Sequence, residues 1–266
     1  MSSLRPKISL IISTYNWPEA LELVFKSVLQ QTVYPLEVII ADDGSGAATN
    51  AVIEDFKAKI SIPVKHVWHE DKGFRKTIIL NEAVKQAVGD YIVQIDGDII
   101  LHPKFIEDHL NYASIGHFIK GSRGRLMMKK TKEVLQSKSI AIHSLTKGLA
   151  STINATRCPL FSPLFYGDPK LSRKVKGCNF AFWKDDFMAV NGYNNDLEGW
   201  GHEDIEIAAR LVNNGTKCKH LKMVAVCYHL YHQINSRNQE NSNLNVYENT
   251  IKNNIKYCID GFNTNQ

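Results

Sequence analysis

The 266-residue chain has no apolar run approaching the ~18 residues of a membrane span, no CxxC pair, no internal repeat and no glycine-rich basic loop after its first apolar segment. A membrane-spanning helix and a paired-cysteine zinc finger are excluded. Its five cysteines, Cys158, Cys178, Cys218, Cys227 and Cys258, are an odd set, which argues against a complete disulfide framework and for a reducing compartment. Charge of one sign is also scarce: 32 Lys and Arg against 27 Asp and Glu leave +5. That excess suits anionic ligands or an acidic membrane surface and is too weak to indicate nucleic acid. With 44% hydrophobic and 22% charged residues, the chain is neither disordered nor collagen-like. Arg5 and Lys7 lead directly into Ile8 to Ile12, too short for the apolar region of a signal peptide. The expectation is a cytoplasmic protein, with peripheral attachment to the inner face of a membrane left open.

The first hundred residues alternate between two periodicities. Ile8 to Ser13 is a β-branched run that stops at Thr14-Tyr15-Asn16, and Pro18 then occupies a helix N1 position before Leu21, Val24, Phe25, Val28 and Leu29 recur at helical spacing. A second strand over 37–41 breaks at Asp42-Asp43-Gly44-Ser45. A third covers 64–68, and a fourth over 91–95 ends at Asp96-Gly97-Asp98, with helices marked by Ile53 and Phe56 and by Ile79, Leu80, Ala83 and Val84. Apolar strands joined by crossover helices predict a parallel α/β sheet covered on both faces. Ligands of such sheets bind outside the carboxyl ends of the strands, where three polar clusters fall.

The second half is less regular. Residues 121–176 carry Pro159, Pro163 and Pro169 and a basic cluster from Arg123 to Lys132, and read as a lid or binding loop. A strand is expected over 176–182, a helix after Asp204 that stops at Asn213-Asn214-Gly215, and a last strand over 221–228. Residues 1–232 are thus expected to form one domain in two halves, 1–100 and 101–232. Residues 233–266 would be a polar linker and an amphipathic helix striped by Leu244, Tyr247, Ile251, Ile255 and Cys258, packed on the domain or on a membrane.

Several groups could carry chemistry. Asp96 and Asp98, one residue apart after a buried strand, can approach a divalent ion, although Asp-Gly is also a common turn pair. Asp42 at a strand end can accept from the imide N–H of uracil, while Ser45 has the simpler reading of a helix cap. Arg75 near a helix start suits a diphosphate. The helix dipole accounts for Glu203 and Asp204, but not for Trp200 between two glycines, where a sugar ring could stack. Adjacent carboxylates can divide their roles, one holding a hydroxyl and the other taking a proton. His229 and His232 follow a strand at a spacing that puts both on one side of a turn.

The order Thr14-Tyr15-Asn16, Asp42-Asp43-Gly44-Ser45, Asp71-x-Gly73-Phe74-Arg75, Asp96-x-Asp98, Gly177-x-Asn179, Trp200-Gly201-x-Glu203-Asp204 and His232 resembles family-2 glycosyltransferases of the GT-A fold. Its second half is similar to β-1,4-galactosyltransferases and bacterial chondroitin polymerases. The resemblance spans about residues 7–232 and implies a Rossmann-like, mostly parallel sheet with an acceptor-side lobe, so that 1–100 would be the nucleotide-binding half and 101–232 the acceptor-binding half. It implies an inverting, metal-dependent transfer from a nucleotide-sugar donor, UDP-linked, to a glycan or lipid-linked glycan, with Mn²⁺ or Mg²⁺ as cofactor. Thr14, Tyr15 and Asp42 would hold the nucleobase and ribose, Arg75 the diphosphate side, Asp96 the ribose, and Asp98 and His232 the metal. Asp204 would be the base, Glu203 a sugar contact, and Asn179, Trp200 and Gly201 substrate-binding. His229 stands where galactosyltransferases carry Met, and Ile205 where they carry a third acid, so neither role transfers. A sugar nucleotidyltransferase would need the glycine-rich loop that Ser13 to Trp17 lacks, and a non-catalytic sugar-binding module would leave the paired carboxylates unexplained.

Overall fold

The computed structural model describes residues 5–170, 172–197, 199, 201–233 and 239–264. Strands β1 (Ile8–Thr14), β2 (Glu37–Asp42), β3 (Val64–Trp68) and β4 (Tyr91–Asp96) alternate with helices α1 (Pro18–Leu29), α2 (Ala47–Lys59) and α3 (Lys76–Gln86). The four strands are parallel, and β1 and β2 are buried along their whole length because α1 and α2 cover one face and α3 the other. Such double coverage favours unbroken Val, Ile and Leu runs over alternation. Pro18 opens α1, as its position predicts.

The second half follows as β5 (Ile99–Leu101), α4 (Phe105–Tyr112), β6 (His117–Lys120), β7 (Gly124–Leu126), α5 (Met128–Ser137), β8 (Leu149–Ala150), β9 (Phe180–Trp183), α6 (Lys184–Ala189), α7 (Glu203–Asn213), β10 (Lys217–His220), β11 (Cys227–His229) and α8 (Glu240–Lys252). The main sheet runs β10-β6-β9-β4-β1-β2-β3, with β9 antiparallel to both its neighbours. A second sheet, β5-β11-β7-β8, pairs His229 with Ile99 and so draws β11 alongside the residue after Asp98.

Three expectations change. Residues 121–176, read as a lid or binding loop, are not irregular throughout: they contribute β7, α5, β8 and 3₁₀ turns over Thr152–Ala155 and Pro159–Phe165. Their periodicity escapes notice because each piece is short and finds its partner far along the chain. The apolar run 221–228 is buried but splits, since the positive φ of Met223 and Ala225 breaks the extended backbone before β11. The strand expected over 176–182 begins only at Phe180, after a 3₁₀ turn at Gly177–Asn179.

The C-terminal stripe also ends early. Helix α8 packs on α7 through buried Asn243, Tyr247 and Thr250, whereas Ile251 stays half-exposed and Cys258 is buried beyond the helix. A fully buried ion pair fixes this corner: Arg210 donates to both oxygens of Glu206 (2.8 and 2.6 Å) and to the carbonyls of Val190 and Gly192, while Thr250 donates to Glu206. Among the described residues no helix is long and apolar enough to cross a membrane.

Candidate active site

The polar clusters that end β1, β2 and β4 meet in one crevice. Thr14, Ser13 and Asp96 lie side by side because β1 is flanked by β2 and β4 in parallel register. Ser13 Oγ donates to Asp96 Oδ1 at 2.9 Å. Gly97 sits so close that a Cβ there would lie 3.0 Å from Thr14 Oγ1 and from the Ser13 carbonyl oxygen, which explains a glycine between the two aspartates. Tyr15 is 52% exposed, and its hydroxyl donates to Asp71 at 2.9 Å.

Asp42, expected at the nucleobase, is only 1% exposed: Oδ1 accepts from the Ser45 N–H at 2.8 Å and Oδ2 meets His66 Nε2 at 2.9 Å. It braces the turn from within. Asp43 meets His69 Nε2 at 2.6 Å and accepts from the Arg75 N–H at 3.0 Å, and burial raises its pKa. Arg75 therefore reaches the crevice through its backbone as well, with its guanidinium held by the Glu70 carbonyl.

Asp98 lies opposite. Its Oδ2 is 3.3 Å from His229 Nε2 and 3.4 Å from His232 Nε2, and its Oδ1 is buried without a partner. The ligand atoms of these three residues all fall within 4.8 Å of one another. Burial, then the charge of Asp96, pushes the Asp98 carboxyl up to about 7. Burial and Arg123 push the His229 imidazole down to about 3, so it is neutral, as a metal ligand must be. One orphaned carboxylate oxygen, a buried carboxyl resisting ionisation and two convergent imidazoles fit a divalent cation. The ladder pairing of β11 with β5 brings in His229, a placement the linear sequence does not display.

Across the crevice Glu203 and Asp204 open α7. Asp204 Oδ2 accepts from the Gly177 N–H at 2.7 Å, while Oδ1 is buried without a hydrogen bond. Burial raises the pKa of Asp204 and pushes that of Glu203 up to about 7. Lys76 lies between the two groups of carboxylates. Burial works against its charge, yet Asp96, Asp204 and Glu203 together outweigh it and hold its pKa well above the ordinary lysine value.

Asn179 departs from its expected role at the substrate. It is 1% exposed, its amide donates to the carbonyls of Ser122 and Ala225 at 3.0 and 2.9 Å, and its oxygen faces His109. Both donors are consumed, so Asn179 pins the 121–123 turn to the run before β11. Gly201 is buried with φ +112°, and its carbonyl accepts from Asn243 on α8. Trp200 lies outside the described residues. No local pattern in the sequence shows that Lys76 faces Glu203. Arg123, whose guanidinium reaches Cys178 Sγ at 2.6 Å behind Asp96, is visible there only as part of a basic cluster.

Residues 9–166 match the family description "Glycosyl transferase family 2", and residues 166–233 match "N-terminal domain of galactosyltransferase". The chain is 26% identical over 233 residues to the validoxylamine A glucosyltransferase of Streptomyces hygroscopicus subsp. limoneus, covering 79% of this chain and 49% of that protein. It is 24% identical over 245 residues to the chondroitin synthase of Escherichia coli, covering 84% of this chain and 34% of that one. The chain thus spans about half or less of the length of these curated relatives. Among solved structures, the mannosyltransferase PcManGT of Pyrobaculum calidifontis, in complex with GDP-Man and Mn²⁺, superposes with a TM-score of 0.58 at 16% identity over 87% of this chain and 59% of that one. Staphylococcus aureus TarS 1-349 in complex with UDP gives a TM-score of 0.60 at 15% identity over 91% and 64%. At these identities the likeness speaks for the fold, which is GT-A. The match over residues 9–166 covers more than half of the molecule and includes the crevice from Thr14 to Asp98, so the chain belongs to glycosyl transferase family 2.

Proposed function

We propose that this glycosyltransferase inverts the anomeric centre as it moves a sugar from a nucleotide diphosphate donor, UDP-linked, to a hydroxyl of a glycan or lipid-linked glycan. The observation that carries the reading is Asp204, with one carboxylate oxygen fixed by the Gly177 N–H and the other buried and unpartnered. A carboxylate anchored at one oxygen keeps the second aimed and free to take a proton from the attacking hydroxyl. A single base of this kind, opposite the cation site, suits a one-step displacement.

Asp98, His229 and His232 would hold the divalent cation, and two imidazoles beside one carboxylate favour Mn²⁺ over Mg²⁺. When bound, the cation supplies positive charge against the leaving diphosphate. Thr14, Tyr15 and Asp43 would receive the nucleoside, with Asp43 taking the part that the sequence suggests for Asp42, because Asp43 accepts from the Arg75 N–H and its charge reaches Tyr15. Glu203, kept near neutrality by burial, is suited to share a proton with a sugar hydroxyl.

The test is a panel of nucleotide sugars, UDP-linked and GDP-linked, incubated with the full chain and Mn²⁺ and followed by NMR. Slow hydrolysis of one α-linked donor should first release the β-anomer of its sugar. First release of the α-anomer would overturn the inverting mechanism, and preference for a GDP-linked donor would overturn the assignment of UDP.

A further inference from the structure

One short turn in the second half of the chain carries its apolar side chains outward. Pro159–Phe165, Pro-Leu-Phe-Ser-Pro-Leu-Phe, is a 3₁₀ turn in which Leu160 is 81% exposed, Phe161 49% and Leu164 77%, with Pro159 and Pro163 exposed as well. Ser162 is its one buried residue. A 3₁₀ helix has three residues per turn, so residues three apart share a side. Ser162 and Phe165 lie on the inner side, while Leu160 with Pro163 and Phe161 with Leu164 make up the two outer ones. Turns that face water are usually built from Gly, Asn, Asp and Ser. This one offers water two leucines, a phenylalanine and two prolines.

The backbone holds that exposure in place. Before the turn, the Cys158 N–H donates to the Met223 carbonyl at 2.7 Å; after it, the N–H groups of Cys218 and His220 donate to the carbonyls of Pro169 and Tyr166 at 2.7 and 3.3 Å. Residues 166–169 thereby cover the open edge of β10, the outermost strand of the main sheet, and the turn stands at that edge.

Cations gather on the same segments. Residues 157–176 hold five Lys and Arg against the single acid Asp168, and residues 214–223 hold Lys217, Lys219 and Lys222 with no acid. Together the two stretches carry a formal +7 where the whole chain carries +5, so the rest of the molecule is net negative. Arg157 is occupied by Asp108, and Lys219 by the Tyr112 carbonyl and Ser114. Lys170 and Lys217 are exposed, and the bond from the Cys218 N–H to the Pro169 carbonyl brings their backbones together. Lys222 Nζ lies 4.8 Å from the centre of the Phe165 ring, which sets a charge beside the apolar turn.

We propose that the Pro159–Phe165 turn docks this face on an anionic lipid bilayer, with Leu160, Phe161 and Leu164 entering the interface and Lys170, Lys217 and Lys222 meeting headgroup phosphates. Protruding apolar side chains beside unspent cations suit a bilayer, which yields to them and supplies negative charge, whereas a protein partner would need a matching hollow. Helix α8, where the sequence alone allows membrane contact, packs on α7 instead. From the turn the chain runs on to Gly177, whose N–H holds Asp204, so docking here suits an acceptor carried on a lipid. That use rests on the transfer reading above; the affinity for lipid does not.

Co-sedimentation of the full chain with vesicles tests this without any sugar donor. The chain should pellet with vesicles of equal parts phosphatidylcholine and phosphatidylglycerol, hardly at all with phosphatidylcholine alone, and should be released as NaCl is raised. Leu160→Ser with Leu164→Ser should lower the partition coefficient ~tenfold or more, the scale of two leucines withdrawn from an apolar phase. Thermal unfolding should stay unchanged in that variant, because both side chains are exposed. Lys170→Glu with Lys217→Glu should weaken binding to the anionic vesicles ~tenfold. Lys57→Glu with Lys59→Glu, the same change in net charge placed on α2, should weaken it far less. The proposal is overturned if the wild type does not pellet with anionic vesicles, if the leucine variant pellets as well as the wild type, or if the α2 variant loses as much as the Lys170 and Lys217 variant. Failure to pellet, together with a dimer in sedimentation velocity that the leucine variant abolishes, would assign the face to a second copy of the chain. Vesicle binding by a chain that consumes no nucleotide sugar would overturn the transfer reading and spare the lipid site.

Discussion

The ammonium of Lys76 lies 2.8 Å from Asp96 Oδ1, and that contact ties α3 to the end of β4 at the centre of the crevice. The same ammonium is 3.8 Å from Glu203 Oε1, so one lysine joins the carboxylates on the donor side to those at the start of α7. Three acids crowded together would otherwise suppress one another's ionisation. Lys76 keeps Asp96 charged and limits the upward shift of Asp204.

Lys76→Met should therefore move the pH profile. A base works when ionised, so activity is present above its pKa and falls as pH drops through it; burial already raises the Asp204 pKa above the ordinary carboxylate value. Removing the lysine charge should shift the acid limb of kcat/KM to still higher pH, with ~10-fold or greater loss at pH 6. An unmoved acid limb would assign that limb to another group.

Asp204→Asn keeps the size of the side chain and a carbonyl oxygen for the Gly177 N–H but removes the proton acceptor. Turnover should fall ~10²- to 10⁴-fold with donor affinity nearly unchanged. Near-normal kcat would transfer the role of base to Glu203.

Chelation should abolish transfer, and added Mn²⁺ should restore it. Asp98→Asn and His229→Ala should each lower Mn²⁺ affinity, measured by titration calorimetry, by at least ~10- to 100-fold, since each removes one of three convergent ligand atoms. Wild-type Mn²⁺ affinity in His229→Ala would leave His229 a mere neighbour of the site.

The Arg210–Glu206 pair is inaccessible to solvent and also holds the carbonyls of Val190 and Gly192. Arg210→Met strands a carboxylate in the interior and should cost ~3–5 kcal/mol in urea unfolding. A loss below ~1 kcal/mol would mean that water reaches Glu206 in the variant.

Much of the donor half is legible in the sequence. Ile8 to Ser13, Glu37 to Ala41 and Tyr91 to Ile95 are each apolar enough to be recognised as doubly covered strands, and the turn residues after them fall at their carboxyl ends by the geometry of a parallel sheet. Asp96 and Asp98 accordingly follow β4, and Glu203 and Asp204 open α7, each where its motif lies in the chain. Residues 121–176 resist the same reading because β7, β8 and the 3₁₀ turns are too short to show a period.

By itself, the sequence determined the alternation of strand and helix, the carboxylates at the strand ends and the acidic start of α7, because each depends on residues close together in the chain. Tertiary structure decided what each polar side chain does there. It buried Asp42 against His66, consumed both donors of Asn179 on backbone carbonyls, brought His229 to Asp98 through the β5–β11 ladder, and set Lys76 between Asp96 and Glu203. A polar group's role depends on which partners reach it after burial, and nearly all of these partners lie tens of residues away in the chain.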